Sequence, residues 1–405
     1  MKYDFTSIMH RSGIDALAVD GLGKLPGFSP TPPKDGFDLI PMWVADMNFP
    51  TVPTITRAII ERAQHPAFGY FSPSDAYFDA IINWQQTRNG VSGLERDHIG
   101  YENGVLGGVV SALNVVCSRG DSVLLHSPTY VGFTGTLKNN GYRIIHSPLV
   151  PDENGLYRMD FEDMERLFRD KKIHAAVFCS PHNPTGRVWE QWEIEGFMDL
   201  CKKYDVFVVS DEIWSDILLN GHRHIPTQSV SQDARNRTVA LYAPSKTFNL
   251  AGLVGSYHIV YNKWLRDRME KESGLCHYNE MNVLSMHALV GAYCPEGEEW
   301  VGELRQVLSE NVNYACNYIK THFKGVSVTK PQGTYLLFLD CSKWCVKHNT
   351  DVRTLLQAGW DVGVAWQDGR PFHGPNHIRM NLALPLSRVQ EAFTRLDKYV
   401  FHSEE

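Results

Sequence analysis

From about Tyr101 onward, short apolar runs alternate with amphipathic stretches. The segments "SVLLH" (122–126), "YRIIHSPLV" (142–150), "AAVFC" (175–179), "VFVVS" (206–210) and "VALYA" (239–243) have the length and composition of buried strands. Between them, "GVVSALNVVC" (108–117) and "WEQWEIEGFMDLCKKY" (189–204) read as helices. Strands this apolar, separated by helices, predict a mostly parallel sheet covered on both faces. The texture changes near residue 297. In "EEWVGELRQVLSENVNYACNYIKTHF", Val301, Leu304, Leu308, Val312, Ala315 and Ile319 recur at three- and four-residue steps, which predicts one long amphipathic helix. Strand-like pieces follow, "GTYLLFLDC", "DVGVAW" and "HIRMNLAL", and then a closing helix. The expected organisation is an α/β protein. A large domain spans 49–292, a smaller α+β domain spans 293–405, and an N-terminal segment, 1–48, joins the small domain. Its loop-like part, "DGLGKLPGFSPTPPKDGFD", and the later "CHYNEMN" are candidate pocket-shaping segments.

Composition narrows the function class. The chain has 405 residues and a net charge of −7, with no basic patch suited to phosphodiester backbones. That argues against a nucleic-acid partner. No apolar run reaches membrane-spanning length, and the N-terminus lacks a charged-then-apolar leader, so a cytoplasmic protein is expected. The eight cysteines are scattered, as for reduced core thiols. Cys341, Cys345 and His348 do not have zinc-ribbon spacing, and no fourth ligand is near, so no metal is expected.

Ligands of open parallel sheets sit at the carboxyl ends of the strands. There "AAVFCSPHNPTG" delivers Asn183, "VFVVSDE" delivers Asp211, "VALYAPSK" delivers Ser245 and Lys246, and "SVLLHSPTY" delivers Tyr130. Asn183 to Asp211 is 28 residues and Asp211 to Lys246 is 35, each fitting one βαβ unit. Taken singly, each has a plain alternative. Asn183 suits an Asx turn, Asp211 a helix cap, Lys246 a solvated loop, and Tyr130 a core position with its hydroxyl satisfied. Taken together, an amine, a carboxylate, an amide and an aromatic face are what pyridoxal phosphate requires. The turn "ENGVLGGVV" can offer backbone N–H groups of Val105 and Leu106 to a phosphate, and Ser245 a hydroxyl.

In order and spacing, Tyr130, "SPHNPTG", "SDEIW", "APSKTFNLAG" and "HIRMNLA" resemble the fold-type I, class I/II aminotransferase family. The opening "YDF" with "WVADMNFP" and "FGYFSPSD" resembles its MalY/PatB branch of cystathionine β-lyases and related C–S lyases. The resemblance implies a large domain with a mostly parallel seven-stranded sheet and a smaller α+β domain. It implies Lys246 as Schiff-base lysine and proton carrier, Asp211 at the pyridine nitrogen, Asn183 at the ring 3-oxygen and Tyr130 stacked on the ring. Val105, Leu106 and Ser245 would hold the phosphate, and Arg379 the substrate carboxylate. Tyr70 would reach the neighbouring subunit's cofactor, which implies a homodimer with shared sites. Two positions depart from the family. Trp214 stands where Tyr or His is usual, and an indole donates a hydrogen bond but accepts none. Ala243 stands where many relatives carry Ser, so one phosphate hydroxyl is missing. The implied activity is β-elimination on cystathionine, cysteine or another S-substituted cysteine, giving pyruvate, ammonia and a thiol. Transamination of an L-amino acid uses the same residues and is the alternative. A cofactor-holding regulator acting through a protein partner is the rival of another class.

Overall fold

The computed structural model describes residues 1–276 and 279–401. Seven strands form the central sheet: β1 (Ile99–Asn103), β2 (Ser122–Ser127), β3 (Arg143–Pro148), β4 (Ile173–Cys179), β5 (Phe207–Asp211), β6 (Thr238–Tyr242) and β7 (Gly255–Ile259). Their order across the sheet is β1-β7-β6-β5-β4-β2-β3. The pairs β2–β3, β2–β4, β4–β5 and β5–β6 are parallel, and β7 is antiparallel to both its neighbours. Six strands therefore end at one edge. The inner strands β5 and β6 are buried almost end to end, as their valine-rich sequences require.

Helices α1 (Pro53–Gln64), α2 (Asp75–Asn89), α3 (Val105–Val116), α4 (Val131–Asn139) and α5 (Val283–Ala292) accompany this sheet. The long helix is α6 (Pro295–His322). Pro295 opens it with a preset φ, and Glu296 and Glu298 sit in its first turn, where the helix dipole favours carboxylates. All six residues of the expected apolar stripe are buried. Buried Asn311 on α6 donates to the carbonyls of Leu382 and Leu384, both at 2.8 Å, which ties the helix to the chain leaving the second sheet.

That second sheet is antiparallel and contains β8 (Ser327–Val328), β9 (Leu336–Asp340), β10 (Gln367–Asp368) and β11 (His377–Asn381), ordered β8-β9-β11-β10. The segment "DVGVAW" does not join it. Val364–Ala365 instead pairs in parallel with Ile40–Pro41 from the N-terminal part. Asp38 accepts from Arg388 and Arg395, and Asn381 donates to the carbonyls of Val44 and Asp46. Residues 38–48 are thereby fastened beside β11. Among the described residues, no helix is long and apolar enough to cross a membrane.

Candidate active site

The edge where the parallel strands end borders a cavity of about 400 Å³, within the ordinary range for a small-molecule site. Val105, Leu106, Tyr130, Asn183, Asp211, Trp214, Ser245, Lys246 and Arg379 all line it. Tyr70 does not; it is fully exposed on this chain.

The turn between β1 and α3 supplies the anion cradle. Gly104 takes φ +77° and ψ 155°, a conformation that L side chains avoid, and α3 starts at the next residue. The first N–H groups of a helix lack an intrahelical acceptor, and the residues that begin α3, Val105, Leu106 and Gly107, line the cavity together with Ser245. Asn279 secures the approach to the turn: its side chain accepts the Asn103 N–H at 2.6 Å and donates to Tyr101 and Glu102. Of the "CHYNEMN" segment, His277 and Tyr278 lie outside the described residues.

Asp211 ends β5 and is 4% exposed. Its carboxylate accepts the Ile213 N–H at 3.1 Å. Burial pushes its proton affinity up to about 7; the Ile213 N–H opposes this, Glu212 adds to it and Lys246 opposes it. The next residue behaves oppositely. Glu212 is also buried, but His224 at 2.6 Å, the Tyr242 hydroxyl at 2.5 Å, the Ser210 hydroxyl and the Thr227 N–H surround it. Burial works against its ionised form, yet His224 and the hydrogen bonds hold Glu212 below the usual carboxylate range. Glu212 is thus fully partnered, whereas Asp211 faces the cavity with a single backbone donor.

Lys246 lies half-buried just after β6 and donates to the Ala45 carbonyl at 2.8 Å. Its amine is 5.7 Å from the centre of the Trp214 ring. Burial, then the nearby Arg379 charge, lower its affinity for a proton to about 8, against partial compensation by Asp46 and Asp211. Trp214 is almost wholly buried and packs edge-on against Tyr335 at 4.8 Å. The Tyr335 hydroxyl reaches the same Ala45 carbonyl at 3.1 Å.

Tyr130 precedes α4 and sits half-buried at the cavity wall. Arg379 comes from β11 and is 4% exposed. It donates to the Trp43 carbonyl at 2.9 Å and to the Asn183 side chain at 3.4 Å, and its guanidinium lies 4.3 Å from the centre of the Phe372 ring. Its Nε is buried without a partner, and among the described residues no carboxylate pairs with it. Burial lowers its pKa to about 10. A guanidinium on the cavity wall with no carboxylate partner among the described residues is chemically suited to an anion.

The arrangement fits pyridoxal phosphate on these observations: an N–H cradle at a helix start, an underpartnered carboxylate, a half-buried amine and an aromatic wall. The motif "WVADMNFP" brings Trp43 and Ala45 to the cavity, and the loop marked as pocket-shaping brings Phe28, whereas no sequence motif marked Leu17 or Phe372. Leu17 comes from the N-terminal segment and Phe372 from the turn between β10 and β11, and both reach the cavity only through tertiary contacts.

The sequence model of the aminotransferase class I and II family matches residues 38–396. Cystathionine beta-lyase PatB of Bacillus subtilis is 32% identical over 396 residues, covering 97% of this chain and 98% of that one. A PLP-bound C–S lyase from Staphylococcus hominis superposes with a TM-score of 0.89 at 28% identity, covering all of both chains. The crystal structure of a PLP-bound "putative aminotransferase" from Clostridium difficile gives the same TM-score at 33% identity, covering 98% of this chain and 99% of that one. The match over most of the chain and the shared fold agree with the edge-of-sheet site: the chain belongs to the aminotransferase class I and II family, with the fold-type I architecture.

Proposed function

We propose that this protein is a pyridoxal-phosphate-dependent C–S β-lyase that releases a thiol, pyruvate and ammonia from an S-substituted cysteine. The observation that carries the reading is the meeting in one cavity of Lys246, Asp211 and Arg379, which no carboxylate among the described residues neutralises. The likeness to lyases over the whole chain supports elimination as the outcome.

When bound, pyridoxal phosphate supplies an electron sink for the charge left at the substrate Cα. The chain's residues supply the rest. The backbone at Val105 and Leu106, with Ser245, would hold the phosphate. Asp211 would keep a proton on the ring nitrogen, Asn183 would donate to the 3-oxygen, Tyr130 would supply an aromatic face, and Trp214 walls the site. Arg379 fixes the substrate carboxylate. Lys246 would hold the cofactor covalently, and its neutral amine would take the substrate Cα proton. A pKa near 8 leaves a usable fraction of that base at neutral pH. The Ala45 carbonyl anchors the amine when it carries a proton. Leu17 and Phe28 contribute apolar surface to the cavity.

The active unit in this reading is a cytoplasmic homodimer in which Tyr70 serves the partner's site. Its full exposure here, beside exposed Phe68 and partly exposed Phe71, supports that assignment. In this reading residues 49–292 form the large domain, and residues 1–48 join residues 293–405 in the small one. Transamination is the second reading, favoured by the likeness to the Clostridium difficile aminotransferase.

Incubating the holoenzyme with an S-substituted cysteine, without an oxo acid, separates the two. Continuous pyruvate release is expected. One turnover of absorbance loss, restored by an added oxo acid, would establish the aminotransferase instead.

A further inference from the structure

Behind the cavity wall, a buried carboxylate joins the loop that follows β5 to the loop that follows β6. Asp216 stands on the first of these, in "SDEIWSD", beyond Asp211 and Trp214, and is 4% exposed. Donors from two other elements converge on it. From α2, Arg88 donates through Nε to Oδ1 at 2.7 Å, and the Trp84 indole donates to Oδ2 at 3.2 Å. From the second loop, the Thr247 hydroxyl donates to the same Oδ2 at 3.1 Å. Thr247 follows Lys246 directly and is wholly buried. None of these four side chains lines the cavity.

The acceptor is itself held rigidly. Trp84 stacks on Tyr293 at 4.5 Å with the rings nearly parallel, and the Arg88 guanidinium lies 5.1 Å from the Trp84 ring centre. The Arg88–Asp216 pair is out of water within a single chain. An ion-paired carboxylate fixed in this way makes a stronger and more directional anchor for a hydroxyl than a neutral acceptor would.

We infer that Asp216 is a positioning residue: acting through Thr247, it fixes the backbone beneath Lys246 so that the amine is presented to the cavity. The inference rests on the lyase reading for what the amine does, and on these buried contacts for how it is held. A lysine places its amine at the end of a flexible four-carbon stem, so a small rotation of the backbone moves the nitrogen a long way. The residues after Thr247 are fastened to a different segment. The Phe248 carbonyl accepts from Thr51 at 2.8 Å, and Asn249 exchanges two hydrogen bonds with the Met47 backbone, both at 3.0 Å. Those contacts secure the loop to residues 47–51. Thr247 secures it to the loop that begins at Asp211, and so sets the amine relative to the carboxylate with which it must work.

Two substitutions separate this role from simple packing. Thr247→Val keeps the branched shape and removes the hydroxyl. Thr247→Ser keeps the hydroxyl and removes a methyl from a fully buried position. If Thr247 only fills space, Ser is the worse variant; if it is a donor to Asp216, Val is. Cofactor-free protein is trace-labelled with acetic anhydride at a series of pH values, and acetylation of Lys246 is read by mass spectrometry against surface lysines. The rate at which the same protein takes up pyridoxal phosphate is followed by absorbance.

Thr247→Ser should match the wild type in both readouts. In Thr247→Val the acetylation midpoint of Lys246 should move up toward that of a surface lysine, and cofactor uptake should slow by about tenfold. If Thr247→Val does not fold, Thr247→Ala takes its place, since it differs from Thr247→Ser by the hydroxyl alone. An unchanged midpoint or an unchanged uptake rate without the hydroxyl, or a Ser variant that loses as much, would overturn the positioning role and leave the lyase reading standing. A wild type that takes up no pyridoxal phosphate would end the lyase reading. The acetylation midpoints, which need no cofactor, would then decide the role of Asp216 by themselves.

Discussion

Asp211 and Lys246 are displaced toward neutrality from opposite sides, and both displacements begin with desolvation at the same cavity. For Lys246 the consequence is reactivity. Only a neutral amine attacks an aldehyde, so reconstitution of cofactor-free protein with pyridoxal phosphate should accelerate as pH rises through about 8. An ordinary lysine, with a value of 10.5, would still be gaining rate well above that. Stopped-flow absorbance checks this. For Asp211 the consequence is stability. Its folded-state value of about 7 lies above its ordinary 3.8, so the native protein holds an extra proton between those limits. The associated stability is complete below 3.8 and lost as pH rises through about 7. In cofactor-free protein, Asp211→Asn should therefore raise the melting temperature by a few degrees at pH 8 and by less at pH 5. The same change should cut turnover of the holoenzyme severely, because the ring nitrogen loses its carboxylate. For Arg379→Lys, a point charge replaces a fork, so KM for the S-substituted cysteine should rise by about tenfold or more.

At the scale of elements, the site depends on short connections that leave no room for adjustment. Gly132, in the first turn of α4, is one. A Cβ there would meet the Tyr130 ring at 2.3 Å and Leu106 at 3.0 Å. Gly132→Ala should displace the Tyr130 ring from the cavity wall and, on the proposed reading, weaken cofactor binding by about tenfold, with the far-UV circular dichroism unchanged. Fluorescence titration with pyridoxal phosphate measures it. The elements that carry the chemistry were legible in the sequence, because a buried parallel strand is a continuous apolar run and the reactive residue follows at its end. Lys246 after "VALYA" and Asp211 after "VFVVS" are examples. β7 was not, because "GSYHI" mixes polar and apolar residues and pairs antiparallel on both sides. The loop that carries Phe28 was marked as pocket-shaping, but its lack of periodicity gave no sign of which residue faces the cavity. Tyr335 was not legible at all. Tyr335 reaches the Ala45 carbonyl across 290 residues of chain. Local pattern marks strands and their ends, whereas contacts between distant segments leave no local trace.

At the scale of the whole molecule, one chain leaves the proposed site short of Tyr70. If two subunits exchange this residue, each site draws Lys246 from one chain and Tyr70 from the other. Tyr70→Ala and Lys246→Ala proteins should each be nearly inactive alone. Mixed after co-refolding or co-expressed, they should recover about a quarter of wild-type activity, since half the dimers would be hybrid and each hybrid would have one intact site. No recovery would place Tyr70 outside the partner's site. Leu17 and Phe28 belong to this scale too, because they join the N-terminal segment to a cavity otherwise built from the two sheets.

The account stands on a covalent bond to one side chain. Borohydride reduction of the holoenzyme, followed by tryptic digestion and mass spectrometry, fixes the point of attachment. The phosphopyridoxyl group should appear on Lys246 alone, in the peptide that runs through "APSKTFNLAG". Its appearance on another lysine, or on none, would contradict the assignment of the site and of the chemistry built upon it.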